Sequence, residues 1–224
     1  MAKTRPFFSN GPLLNIGILG GTFNPPHLGH LRLAEEVAFT HRLDRIVFVP
    51  SCIPPHKDLN EIASPADRLT MTELACRGNP VFAVSDMEIA ASGPSYTVDT
   101  LEAFAKQGDC ETFFILGTDS LREIHTWKDY ERLFALSHFI TVTRPGADFR
   151  STWKELPNGL RKEFREENGH FLHSSSRCLI PSTVLGLDIS ATRIREILKS
   201  GGSVRYLVPD SVLAYITKKR LYRN

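Results

Sequence analysis

The residues best suited to chemistry lie near the start of the chain, in the segment GGTFNPPHLGH at positions 20–30. This segment places glycines, a hydroxyl group and two imidazoles directly after an apolar run at 16–19. Glycines let a backbone approach a phosphate closely, and the first turn of a helix attracts negative charge. His27 and His30 are three residues apart, so both rings would lie on one side of a first helical turn. The spacing therefore predicts an anion site where a strand meets its helix.

Three other interpretations of this segment are weaker. A glycine pair also ends many strands for backbone reasons alone. His27 and His30 could bind a metal ion, but no third Cys, His or carboxylate ligand is obvious nearby. The GxGxxG pattern of dehydrogenases is absent, and Pro25-Pro26 occupies positions that would already be helical in that fold.

A second candidate segment, ISATRIR at positions 189–195, places two hydroxyl groups and two guanidinium groups where a helix is expected to begin. Ser and Thr are common N-caps, so the segment taken alone favours an ordinary cap followed by solvated arginines. Its significance depends on the first segment, which lies about 160 residues earlier in the chain.

Together the two segments resemble the HxGH and ISxTxIR motifs of the nucleotidylyltransferase superfamily. The longer form GGTFxPPHxGH resembles the bacterial-type nicotinate mononucleotide adenylyltransferases. Smaller matches lie between the two segments in the family's order: PPHK at 54–57, YTVDT at 96–100, GTD at 117–119, Trp127 and TRPG at 143–146. One position departs from the family pattern, because Asn24 stands where the family usually has Asp. Asn removes a charge but can still cap a turn.

The resemblance implies that AMP is transferred from ATP to nicotinate mononucleotide, giving nicotinate adenine dinucleotide and pyrophosphate for NAD biosynthesis, with Mg²⁺ accompanying ATP. The implied catalytic residues are His27, His30 and Arg195. The implied ATP-binding residues are Gly20, Gly21, Thr22, Phe23, Gly29, Ile189, Ser190 and Thr192. The implied mononucleotide-binding residues are Lys57, Thr97, Asp119, Trp127 and Arg144.

Each mononucleotide-binding candidate also has a structural alternative. Thr and Asp at the start of a helix are often caps, and a tryptophan often packs in the core. Lys57 could be a solvated loop charge, and Arg144 could support the fold. Three other functions stay open: an adenylyltransferase or cytidylyltransferase acting on another phosphorylated acceptor, a nucleotide-sensing binding protein, and a dehydrogenase. The first class lacks the combination of PPHK, YTxDT and tryptophan, and intact histidines argue against a sensor.

The elements that must position these residues follow an alternating pattern. Short apolar runs alternate with longer amphipathic stretches, which predicts an α/β fold: a Rossmann-like, doubly wound, mainly parallel sheet with helices on both faces and a C-terminal helical segment. Strands are predicted at 16–19, 45–50, 81–84, 112–116 and 138–143. Helices are predicted at 28–39, 65–77, 98–106, 156–167, 192–199 and 209–218.

Composition limits the class of protein. With 224 residues and 42% hydrophobic content, the chain fits one domain at 13–224, preceded by an extension at 1–12. A net charge of +2 gives no case for a nucleic-acid or membrane partner, so the expected partners are small molecules. Four widely spaced cysteines, with no leader segment and no long apolar run, predict a cytoplasmic protein with reduced thiols. Oligomeric state stays open, with a homodimer as one option.

Overall fold

A computed structural model describes residues 13–54, 62–106, 108, 110–143 and 148–223. The described strands form one eight-stranded sheet in the order β3-β2-β1-β4-β5-β8-β7-β6. The strands are β1 (Leu14–Gly21), β2 (Arg45–Pro50), β3 (Phe82–Val84), β4 (Cys110–Gly117), β5 (His138–Thr143), β6 (Phe164–Glu167), β7 (His170–His173) and β8 (Cys178–Thr183).

The sheet is parallel from β3 through to β8, and only β7 and β6 join antiparallel at one edge. The chain order of the strands reverses at β1, which lies between β2 and β4. Ligands of open α/β sheets bind at such a switch point, outside the carboxyl ends of the strands. The doubly wound, mainly parallel sheet expected from the sequence is confirmed.

Helices cover both faces of the sheet. They are α1 (Leu28–His41), α2 (Pro65–Cys76), α3 (Met87–Ala90), α4 (Thr97–Ala105), α5 (Thr118–Arg122), α6 (Tyr130–Leu136), α7 (Phe149–Glu155), α8 (Asn158–Lys162), α9 (Ala191–Lys199) and α10 (Asp210–Lys219). Successive residues of a strand point to opposite faces. Accordingly, Phe114 and Leu116 of β4 belong to a core cluster with α4 and α6, whereas Phe113 and Ile115 belong to a second cluster with α1.

A third core cluster attaches the C-terminal helices to α2. Met71 of α2 packs there with Ile194 of α9 and with Val212 and Ile216 of α10, and all four are buried. Tyr215 adds a hydrogen bond from its hydroxyl to Asp67 at 2.8 Å. The C-terminal helical segment is therefore part of the same packed body as the first βα units.

The helix predicted at 156–167 is wrong. This stretch contains the short helix α8 followed by the edge strand β6, which pairs antiparallel with β7. On an edge strand, charged side chains can face solvent or form salt bridges. The sequence of this strand therefore lacks the alternation of apolar and polar residues that would predict it. Glu166 of β6 pairs with Arg150 of α7. None of the described helices is long and apolar enough to cross a membrane.

Candidate active site

A cleft of about 450 Å³ opens where β4 and β5 end and α1 begins, beside the switch point of the sheet. Six of the residues predicted from the two sequence motifs and the GTD segment line it: His27, Gly29, His30, Asp119, Ile189 and Ser190. Apolar side chains such as Leu33 and Val142 form another part of its wall. Segments more than 150 residues apart in the chain therefore meet at one cleft.

The two histidines of the first motif are in direct contact. His27 is buried at the N-cap of α1, and its ring stacks on that of His30 with 3.6 Å between ring centroids. The backbone N–H of His27 donates to Nδ1 of His30 at 3.2 Å. Because Nδ1 accepts this bond, the proton of a neutral His30 ring resides on Nε2. His30 is thereby fixed as an N–H donor at the wall of the cleft.

The glycines of the motif make room for this arrangement. A Cβ on Gly29 would lie 3.0 Å from Nδ1 of His27, so glycine lets that ring pack closely over the first turn of α1, and a larger residue would require the ring to shift. A Cβ on Gly21 would lie 3.2 Å from the ring of Phe23, which is buried and meets His30 edge-on. Phe23, for which Gly21 leaves room, therefore packs against the ring of His30, and neither Gly21 nor Phe23 lines the cleft.

The loop between β1 and α1 is held through its backbone. The carbonyl of Thr22 accepts a hydrogen bond from Arg68 at 2.9 Å, and the carbonyl of Asn24 accepts one from Arg195 at 3.0 Å. Gly20 is the next-to-last residue of β1, just before this loop, and a Cβ there would lie 3.6 Å from the ring of Phe114. Arg195 was expected at the phosphates of ATP, but its guanidinium is placed against this loop and is not among the residues lining the cleft.

Asn24, which replaces the family's usual Asp, has a structural role as an acceptor. It is buried, and its Oδ1 accepts from the backbone N–H of Ala63 at 3.0 Å and from the hydroxyl of Tyr222 at 2.7 Å. Burial raises the pKa of Tyr222, so its hydroxyl stays protonated and able to donate. A neutral side chain at position 24 thus joins the motif loop to both the N-terminal end of α2 and the C-terminal segment.

The second motif has the cap that its sequence suggested. Ser190 is the N-cap of α9, and its Oγ accepts from the backbone N–H of Arg193 at 3.1 Å. Ser190 and Ile189 also line the cleft, whereas Thr192 is exposed on the first turn of α9. The N-cap and the cleft-lining position are therefore combined in one residue, Ser190.

Of the mononucleotide-binding candidates that the structure describes, Asp119 lines the cleft and the other two do not. Asp119 lines it from the first turn of α5, with a carboxylate oxygen 3.2 Å from Nη1 of Arg122. Thr97 begins α4, and Trp127 is half-buried, with its ring edge-on to Phe114. Neither Thr97 nor Trp127 lines the 450 Å³ cleft. Lys57 and Arg144 lie outside the described residues.

Two features of the site gave no motif in the sequence. The segment 184–187 closes one side of the cleft, where Gly186 adopts a φ of 54° and the backbone N–H of Leu185 donates to Glu36 at 2.8 Å. Arg68 of α2 lies fully buried behind the motif loop. Only the left-handed Gly186 carries a weak sequence signal, as a glycine between two leucines. Within the described ranges, no group of three or more His, Cys, Asp or Glu residues could hold a metal ion.

Comparison with known proteins assigns this architecture to a family. Residues 18–197 match the family model described as cytidylyltransferase-like. The chain is 45% identical over 217 residues to a protein of Desulfatibacillum aliphaticivorans named "Probable nicotinate-nucleotide adenylyltransferase", covering 93% of this chain and 100% of that relative. A protein of the same name from Citrifermentans bemidjiense is also 45% identical, over 212 residues, covering 93% of this chain and 98% of the relative.

Solved structures agree on the fold. The nicotinic acid mononucleotide adenylyltransferase of Plasmodium falciparum, solved in complex with NaAD, superposes with a TM-score of 0.71 at 20% identity, over 93% of this chain and 97% of that one. At this identity the similarity concerns the fold, and the curated relatives determine the family. The chain therefore belongs to the nicotinate-nucleotide adenylyltransferase family, within the broader cytidylyltransferase-like group whose model it matches.

Proposed function

We propose that this protein transfers AMP from ATP to nicotinate mononucleotide, releasing pyrophosphate and forming nicotinate adenine dinucleotide. The observation that carries this proposal is the meeting of two distant motifs at one cleft: His27 and His30 from the start of the chain, and Ser190 from near its end. The names of the relatives at 45% identity point to the same reaction.

The reaction is an in-line displacement at phosphorus. A phosphate oxygen of the mononucleotide attacks the α-phosphorus of ATP, the new P–O bond forms, and the bond to the bridging oxygen of the β-phosphate breaks. The electron pair of that bond leaves with pyrophosphate. Such a transfer needs alignment and charge stabilisation, and no covalent enzyme intermediate.

The geometry of His30 suits the stabilisation of charge. Its Nδ1 is occupied by the backbone N–H of His27, so Nε2–H is the donor that it offers to the α-phosphate. His27, stacked on it, would assist at the phosphates. We assign the outer phosphates to Ser190 and Arg195, and Arg195 has to turn from the Asn24 carbonyl to reach them. The remaining ATP-binding assignments are Gly20, Gly21, Thr22, Phe23, Gly29, Ile189 and Thr192.

Mg²⁺ enters this scheme as part of the MgATP substrate. The described residues offer no cluster of metal ligands of their own, so the phosphates would supply most of its coordination. The ion would neutralise charge on the phosphates that depart.

The mononucleotide is assigned to the side of the cleft near Asp119. Trp127 would stack on the pyridine ring, Thr97 would lie near the nicotinate group, and Lys57 would contact the phosphate. Arg144 is also assigned to the mononucleotide. All of these residues fall in one domain, 13–224, which we propose as the catalytic unit.

The test is direct. The protein is mixed with ATP and Mg²⁺, nicotinate mononucleotide and nicotinamide mononucleotide are supplied in parallel, and pyrophosphate and dinucleotide are followed by chromatography. The proposal predicts equal amounts of both products and a higher kcat/KM with nicotinate mononucleotide. A higher kcat/KM with nicotinamide mononucleotide would mean that the amide, and not the acid, is the acceptor substrate. If ATP binds but neither mononucleotide reacts, the proposed activity is rejected.

A further inference from the structure

Arg68 is the largest side chain that the core of the described molecule buries completely, and it carries a charge. Its guanidinium makes four hydrogen bonds, and every acceptor is a backbone carbonyl oxygen. Nη1 donates to Thr22 at 2.9 Å and to Ser51 at 2.6 Å, Nη2 donates to Cys52 at 2.7 Å, and Nε donates to Ala63 at 3.0 Å. Among the described residues, no carboxylate forms a salt bridge with it.

The four carbonyls belong to three segments that border the substrates. Thr22 lies in the loop that leads from β1 to the two histidines. Ser51 and Cys52 follow β2 and lead directly into the PPHK segment at 54–57. Ala63 precedes α2, on the far side of that segment. One planar group therefore connects the loop assigned to ATP with both ends of the segment assigned to the mononucleotide phosphate.

A second contact closes the arrangement. The backbone N–H of Ala63 donates to Oδ1 of Asn24, while its carbonyl accepts from Arg68. The segment before α2 is thus tied to the motif loop from both sides. Farther along, the backbone N–H of Cys52 donates to Oγ of Ser95, which links the same region to the residues before α4.

The chemistry of the side chain argues for a specific role. A fully buried charge is expensive, and several kcal/mol is the usual scale of the desolvation penalty; the four partners that the described residues supply to Arg68 are neutral carbonyls. Fold stability alone would be served at least as well by an apolar side chain of similar size. Arginine differs because its planar fork fixes several acceptors at once, which lysine, as a compact point charge on a flexible stem, does not do.

We propose that Arg68 is a positioning residue for the transfer step, which sets the placement of the ATP loop relative to the mononucleotide segment. The inference rests on the proposed function. Arg68 contacts neither substrate. It acts through the backbone of Thr22, Ser51 and Cys52, so its loss would leave each half-site able to bind its own ligand while the reacting atoms lose their alignment.

The test is to measure kcat and KM separately, because the proposal predicts that substitution of Arg68 lowers kcat and leaves both KM values nearly unchanged. A misplacement of about 1 Å can cost on the order of a hundredfold in rate. For Arg68→Lys we expect kcat to fall at least tenfold, with KM for ATP and for the mononucleotide each within about threefold of the wild-type value. Arg68→Met, which keeps length and loses every donor, should lower kcat further. If Arg68→Met does not fold, the kinetics of Arg68→Lys are sufficient to test the proposal.

The control is Thr72→Val, one turn later in α2. Its Oγ1 donates to the backbone carbonyl of Arg68 at 2.8 Å and is buried, so its loss weakens the same helix without touching the loops. We expect a lower thermal midpoint and a kcat per folded molecule within twofold of wild type. If Arg68 served only the stability of the fold, Arg68→Lys would likewise show a lower thermal midpoint and a kcat within twofold of wild type. That result would show the proposal to be wrong.

Hydrogen exchange separates failure of this proposal from failure of the proposed function. In Arg68→Lys, the backbone amides of 21–24 and 51–53 should exchange at least tenfold faster than in Thr72→Val. A wild-type protein without turnover would reject the proposed function. Unchanged exchange in these two loops would reject the positioning role whatever the reaction catalysed.

Discussion

The contact between His27 and His30 explains why both histidines stand three residues apart. The first supplies a backbone N–H to Nδ1 of the second, and this bond leaves Nε2–H as the donor of His30. We expect His30→Ala to lower kcat at least about a hundredfold, the scale on which loss of one transition-state donor is felt. Steady-state kinetics of dinucleotide formation measures this.

The matched control for His30 lies at the other end of the same helix. His41 of α1 contacts Ser182 through Nε2 at 2.8 Å, far from the histidine pair in the chain. His41→Ala should keep kcat within twofold of wild type. Near-normal turnover of His30→Ala would remove His30 from the reacting phosphate.

Gly29 allows a prediction in which stability and activity move in opposite directions. Ala favours a helix over Gly by up to about 1 kcal/mol, so Gly29→Ala should not lower the thermal midpoint. The new Cβ would lie 3.0 Å from Nδ1 of His27, so the ring has to shift by a few tenths of an ångström, and we expect this shift to disturb its stacking on His30. We expect kcat to fall at least tenfold.

Gly159→Ala in α8 is the reference for this change, since a Cβ there meets no atom within 4 Å. It should keep wild-type kcat. Wild-type kinetics in Gly29→Ala would show that the ring of His27 tolerates displacement, and the supporting role assigned to Gly29 would be wrong.

At the residue scale, contiguous motifs could be recognised in the sequence, whereas contacts between distant segments could not. The motif residues His27, Gly29, His30, Ile189 and Ser190 do line one cleft. Arg68 had no signal, because its partners are carbonyls that every residue carries. Phe23, which the resemblance implies to bind ATP, is buried and packs against Gly21 and His30, and its contact with ATP stays a prediction.

At the scale of elements, the N-terminus of α9 combines a cap with a wall of the cleft, and two substitutions separate them. Ser190→Ala removes the acceptor for the N–H of Arg193, and we expect a loss of about 1 kcal/mol in the free energy of unfolding. Ser190→Asp keeps a good cap but places a negative charge where ATP phosphates are proposed to bind. Its stability should match wild type while KM for ATP rises at least tenfold.

Urea unfolding and initial rates at varied ATP measure these two effects. Ser190→Asn supplies a neutral cap for comparison and should leave both quantities near wild type. If Ser190→Asp binds ATP as tightly as wild type, the phosphates lie elsewhere, and Ser190 is a cap alone.

Helices could be predicted from the sequence where the amphipathic pattern extends over several turns. Helices α1, α2 and α10 show several turns of amphipathic pattern, and their predicted limits agree with the structure to within about two residues. Short elements such as α5 and α8, five residues each, are too brief to show a helical period. Strand β6 reads FREE, with charges on an edge, and nothing in that composition distinguishes it from a helix.

For the molecule as a whole, the parallel direction of the strands up to β5 could be predicted from the βα alternation, because parallel neighbours need a crossover helix between them. The addition of β8 beside β5 could not be foreseen, since it depends on the pairing of Phe139 with Leu179, forty residues away. This pairing matters to the site, because β8 leads into the segment 184–187 that closes the cleft.

A buried histidine at the amino end of the same strands, opposite the cleft, contributes to the pH dependence of stability. His138 begins β5 and is buried beside Glu111 and Arg177. Burial, and then the charge of Arg177, lower its pKa from 6.5 to about 4. Between pH 6.5 and about pH 4, the unfolded chain binds a proton at this histidine and the folded protein does not. The free energy of unfolding therefore decreases as the pH is lowered through this window. From this group alone we expect a loss of about 2 kcal/mol between pH 7.5 and pH 5.

Urea unfolding at several pH values tests this linkage against His138→Asn. The backbone N–H of Cys178 donates to Nδ1 of His138 at 3.0 Å, and the Oδ1 of an asparagine can accept the same bond without titrating. The variant should be less stable at pH 7.5, because it fills less of the core, yet lose less stability on acidification. Burial also lowers the pKa of His170 and His173, so some pH dependence should persist. Parallel pH profiles for the two proteins would mean that His138 takes up a proton in the folded state as readily as in the unfolded chain, and the wild-type loss would then have to come from other groups.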